Sequence, residues 1–176
     1  MTDGFEQARS QRNWLERLTD KIPGFKGYQN RELRREVDKL QREHIAHRLT
    51  EIKGQLRDKA GRYADAGQIG ALQPFDRLEK RLEGLSQAVR FSDYGATGLF
   101  DTVKIREPEL ERLYQFDLSV MDDLQALQTA VDGIPGPRSE SADPAEACDQ
   151  VAELLDALGT KWAERKTVIS NVVQMS

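Results

Sequence analysis

Leucine, isoleucine and valine recur every three or four residues through most of this 176-residue chain. That is the interval at which side chains return to one face of an α-helix. Five segments keep it. The first runs from about Asp3 to Asp20, with Asp3 and Glu6 spaced as an acidic capping box and Leu15, Leu18 and Ile22 on one stripe. Pro23-Gly24 ends it, since proline disfavours helix in the residue before it and glycine is costly inside one.

The second segment starts near Asn30, a good N-cap, and continues toward Ala66, roughly 55 Å if unbroken. Gly54 and Gly61 are its weak points. Leu33, Val37 and Leu40 share its early apolar face. After residue 44 the stripe shifts by roughly a third of a turn, to Ile45, Leu49, Ile52, Leu56 and Tyr63. That shift predicts a kink, a change of partner or burial on a wide arc.

Gly67-Gln68-Ile69-Gly70 marks a break, and Pro74 suits the first turn of a third helix ending near Arg90, with Phe75, Leu78, Leu82, Leu85 and Val89 inward. Leu99 to Ile105 reads as a short extended piece. A fourth helix begins at Pro108, with Glu107, Glu109 and Glu111 at its positive end. Its seam is Leu110, Leu113, Val120, Leu124, Leu127 and Val131, interrupted by Asp117. Residues 133–142 are linker by composition. Asp143-Pro144-Ala145-Glu146 then starts the fifth helix, with Cys148, Val151, Leu155, Leu158, Trp162, Ile169 and Val172 as its seam.

No single stripe can be buried alone, so the pattern predicts an all-α fold. The expected architecture is one domain over 1–176, an antiparallel four- to five-helix bundle with coiled-coil-like seams. The last helix, beyond its linker, also offers a route to a homo-oligomer.

Charge refines this picture. The net charge is −4. Residues 21–62 carry 12 basic and 6 acidic groups, whereas 91–176 carry 7 basic and 16 acidic ones. Mutual attraction within one bundle explains the contrast. The alternative is a nucleic-acid or anionic-membrane surface built on the basic face Arg31, Arg35, Lys39 and Arg42, although Glu32, Glu36 and Glu43 flank it. Asp117 is isolated between apolar stripes, and a buried carboxylate needs a partner. Arg34, Arg35 or Arg12 is the expected one, fixing helix register.

Candidate chemistry is sparse. One cysteine excludes an intrachain disulfide and a cysteine-built zinc site. With two histidines, His44, His47 and Glu51 on one face are the sole metal-like cluster, yet neither the zinc-protease spacing nor a paired Glu-x-x-His pattern is present. Phosphate-binding loops, nucleophile elbows and dinucleotide fingerprints are absent from the sequence. No apolar run approaches the roughly 18 residues of a membrane span, and the N-terminus lacks the pattern of a signal peptide. These features point to a cytoplasmic, non-catalytic interaction or scaffolding module that needs neither metal nor cofactor, with a His/Glu metal-binding bundle on His44 and His47 as an alternative.

One feature suggests a partner. Two Gly- and aromatic-rich loops contain Phe25, Lys26, Gly27, Tyr28, Phe91, Asp93, Tyr94, Gly95, Gly98 and Phe100. In an up-down arrangement they meet at one end of the bundle, holding five of the chain's ten Phe and Tyr. They form either a hydrophobic lid or a protein-docking surface.

Overall fold

The computed structural model describes residues 13–30, 34–92, 106–139 and 143–174. Among them every regular element is helical. Helix α1 covers 13–21, α2 Arg34–Asp65, α3 Leu72–Arg90, α4 Glu107–Asp132 and α5 Pro144–Gln174, with a short 3-10 turn at Ile69–Ala71 before α3. The fold is an all-α helical bundle. The Asp3/Glu6 capping pair and the extended piece expected at Leu99 to Ile105 lie outside the described residues.

The helix boundaries follow from local chemistry. Past α1, Gly24 takes a left-handed φ of 82°, which glycine adopts without strain. Asn30 sits in a bend, and 31–33 lie outside the described residues. Pro74 is the third residue of α3, where a missing N–H breaks no bond because first-turn amides have no intrahelical acceptor. The Asp143 carboxylate accepts a 2.9 Å bond from the Ala145 amide, the N-cap expected for α5.

Helix α2 runs unbroken through Gly54 and Gly61 for 32 residues. Its apparent change of stripe has a simple origin. Arg34, Asp38, Gln41 and Arg42 are buried alongside Val37, Ile45, Ala46, Leu49, Ile52 and Leu56. Polar side chains continue the seam through the first half of the helix, and the buried arc is wide.

The chain forms two compact units. The first comprises 1–44, 92–121 and 161–176, so α1 shares it with the start of α2, the start of α4 and the end of α5. Leu18, Ile22, Phe25, Tyr28, Val37, Leu113, Tyr114 and Ile169 are among its buried residues. The second comprises 45–91 and 122–160. There α2 and α3 run antiparallel. Lys53 bonds Glu83, Arg57 bonds Glu79, and the Tyr63 and Phe75 ring centroids are 5.3 Å apart. Ser86 is buried and donates to the Ala46 carbonyl at 3.1 Å, while Leu85, expected to face inward, is half-buried. Gln128 of α4 bonds Gln55, and Arg81 of α3 bonds Asp156 of α5.

Candidate functional site

The densest polar chemistry lies inside the first unit and is centred on Arg165. Its side chain is 6% exposed, Asp38 is 5% and Asp117 is fully buried. An unpaired charge there would be costly, and the guanidinium meets it with four directed bonds. Nε donates to Asp117 Oδ1 at 3.1 Å and Nη1 to Asp38 Oδ1 at 2.6 Å. Nη2 donates to Tyr28 Oη at 3.0 Å and to Gln41 Oε1 at 2.8 Å. Tyr28 Oη in turn lies 2.7 Å from Asp117 Oδ2 and also contacts Gln41 Oε1. The hydroxyl has one hydrogen, and the carboxylate is the stronger acceptor of the two. Asp38 Oδ2 accepts from Arg42 Nε at 2.9 Å, and the Trp162 ring lies 5.1 Å from the Arg165 guanidinium carbon.

Around this cluster the main chain of the 22–30 loop is fixed. The Tyr28 amide donates to Tyr114 Oη at 2.9 Å, and Arg34 Nε donates to the Tyr28 carbonyl at 2.6 Å. The Tyr28 and Tyr114 rings stack at 5.8 Å, with Phe25 edge-on to Tyr28 at 5.6 Å. One guanidinium from α5 therefore ties together the loop, α2 and α4. The arrangement suits setting helix register, since the Arg165 guanidinium and the Asp38 and Asp117 carboxylates meet in one alignment.

Burial holds the Tyr28 hydroxyl well above its ordinary value, with Asp117 adding to the effect. Burial also raises Tyr114 and Tyr63. Arg165 also lies above its usual range, because Asp117, Tyr28 and Asp38 outweigh the desolvation that would lower it. For a tyrosine raised on folding, the unfolded chain releases its proton first, so stability falls as pH climbs past about 10. In a Tyr63→Phe/Tyr94→Phe variant, tyrosinate absorbance at 295 nm from Tyr28 and Tyr114 should thus rise only together with loss of the helical circular dichroism signal. Ordinary ionisation at full helicity would contradict their placement.

The structure corrects several sequence expectations. Asp117 is buried as expected, but the arginine bonding it is Arg165; Arg35 is exposed, Arg34 serves the Tyr28 carbonyl, and Arg12 lies outside the described residues. Of the basic face, Arg35 and Lys39 are exposed, Arg42 is instead buried against Asp38, and Arg31 lies outside the described residues. Much of the positive charge of α2 is paired locally, as in Lys39–Glu43, Arg48–Glu51, Lys53–Glu83 and Arg57–Glu79. Of the aromatic loops, Phe25, Gly27 and Tyr28 are interior, which removes them from any docking surface. Lys26 is exposed and Phe91 is 74% exposed, while Asp93, Tyr94, Gly95, Gly98 and Phe100 lie outside the described residues.

His47 is exposed, 3.4 Å from Glu51, and His44 is half-buried. No group of three or more metal-ligating side chains occurs among the described residues. Cys148 is 1% exposed, and burial pushes its thiol up to about 11. A disulfide reagent at pH 8 should label it roughly 100-fold more slowly in the native protein than in denaturant, because labelling must await opening of the fold. Equal rates would place the thiol at the surface. No helix among the described residues is long and apolar enough to cross a membrane.

No family model, curated protein or solved structure matches the chain.

Sequence reasoning missed Arg165, although a signal was present. The α5 seam steps from Trp162 to Ile169 across seven positions, and Arg165 fills the gap at helical spacing.

Proposed function

We propose that this protein is a non-catalytic, cytoplasmic interaction or scaffolding module whose partner is another protein. One contrast among the described residues carries the reading: the Arg165 cluster and Cys148 face inward, whereas Phe91 and Ile69 face solvent. Arg165, Asp38, Asp117 and Tyr28 are committed to one another, and Cys148 is buried with a raised thiol. Phe91 is 74% and Ile69 64% exposed. Protein contacts are commonly anchored by a few large side chains that become desolvated on binding. The local pairing of α2 charges favours this reading over phosphate binding along the basic segment 21–62, which would require those cations to be available. A reduced, buried cysteine fits a reducing compartment.

Cross-linking with mass spectrometry in the native cell tests the reading. Links to a defined protein, reduced in a Phe91→Ser/Ile69→Ser variant of unchanged helicity, are expected. Links confined to the chain itself would overturn it.

A further inference from the structure

The Gly/Pro stretch after α4 reads as slack, yet α2 and the hairpin that follows it hold its carbonyls in series. Lys59 Nζ donates to the Asp132 and Ile134 carbonyls, both at 3.0 Å. Tyr63 Oη donates to the Pro135 carbonyl at 2.8 Å, and Gln68 Nε2 to the Pro137 carbonyl at 2.9 Å. The Ser139 amide closes a turn onto the Gly136 carbonyl at 3.0 Å. Arg138 therefore sits on a fixed strap. It lines a cleft of about 420 Å³ together with Arg62, Ala66, Gly136, Pro137 and Ser139.

Both guanidiniums are exposed, and neither has a carboxylate within 4.0 Å among the described residues. Elsewhere in this unit Arg57 and Arg81 pair, whereas exposed Arg77 does not among the described residues, so it is the shared cleft that sets Arg62 and Arg138 apart. Arg62 complements the negative end of α2, but that accounts for Arg62 and not Arg138. Asp65 also lines the cleft, leaving its local charge at one positive. Ile69, beside the Gln68 that holds the strap, is 64% exposed.

We propose that this cleft receives a short acidic segment of a protein partner, one or two carboxylates pairing with Arg62 and Arg138 while a neighbouring apolar residue covers Ile69. The assignment rests on the interaction reading above. Guanidinium forks match carboxylates bidentately, and walls fixed in advance lower the ordering cost of binding. A long polyanion fits less well. The cleft holds two guanidiniums beside Asp65, enough for one or two carboxylates and too few for a run of phosphates.

A random heptapeptide phage library panned against the 176-residue chain tests this, with selected peptides measured by fluorescence anisotropy. Enrichment of Asp or Glu beside an apolar residue is expected. Arg62→Gln/Arg138→Gln should weaken those peptides at least tenfold and Ile69→Ser at least threefold, with circular dichroism unchanged. Failure to enrich acidic peptides, affinities equal in the double arginine variant, or tighter binding of a 20-base-pair DNA duplex through the same arginines would overturn it. Cellular cross-links that persist in the double arginine variant would remove the cleft while leaving the interaction reading intact. Loss of all intermolecular cross-links in the wild type would remove the reading itself.

Discussion

Replacing Arg165 with methionine should destabilise the protein by about 3–5 kcal/mol in urea titration, the cost of stranding a buried charge. The stranded group is Asp117. Asp38 keeps its 2.9 Å bond from Arg42, whereas Asp117 retains one bond, from the Tyr28 hydroxyl. Methionine supplies comparable bulk, so the loss is one of charge compensation more than of packing. Adding Asp117→Asn should restore a large part of the stability, because an amide is cheaper to bury than an uncompensated carboxylate. Strict additivity of the two substitutions would contradict the pairing.

Gly27→Ala is the second large effect. Gly27 has a φ of 79°, and a Cβ there would lie 2.7 Å from Tyr114 Oη and 2.9 Å from Leu15 Cδ1. The left-handed backbone costs about 1–2 kcal/mol for a non-glycine residue. Overpacking adds about 1–3 kcal/mol and disturbs the hydroxyl that receives the Tyr28 amide. The expected total is about 2–5 kcal/mol. Gly24→Ala is the control, with a similar φ of 82° but its nearest contact at an ordinary 3.5 Å, from Leu40, so strain alone should apply. In a Tyr114→Phe background the cost of Gly27→Ala should shrink, since the obstructing oxygen is gone. Equal costs at Gly24 and Gly27 would show that the contact contributes nothing.

The apolar repeats made the helices legible. The N-cap at Asp143, the proline in the first turn of α3 and the buried 3/4 seams of α3, α4 and α5 all follow from local spacing and chain-end chemistry. What was not legible came from reading polarity as exposure. Asp38, Gln41 and Arg42 look like the wet side of α2, and their burial turned a continuous seam into an apparent shift. Asp117 stood out because both its flanks are apolar. Its partner carried only the weaker signal of filling a gap in the α5 seam, which does not name the acid it faces. The gaps prove to be complementary: Asp117 falls midway between Leu113 and Val120, Arg165 between Trp162 and Ile169, and they bond to each other. Phe25 and Tyr28 left two readings open, a lid or a docking surface, and their burial fits the lid. Loop aromatics resemble anchors, but here they pack on Tyr114, with Gly27 leaving room for its hydroxyl. The Arg62–Arg138 cleft had no sequence signal, since its two cations are far apart in the chain and meet only because the strap is held.

Helix register in the first unit depends on Arg165 being enclosed and engaged. Arginine side-chain ¹⁵N–¹H spectroscopy of the 176-residue chain reports this directly, with exposed Arg62 as the internal reference. A slowly exchanging, rotationally hindered Arg165 guanidinium at neutral pH is the predicted result. Exchange with water as fast as that of Arg62 would contradict it.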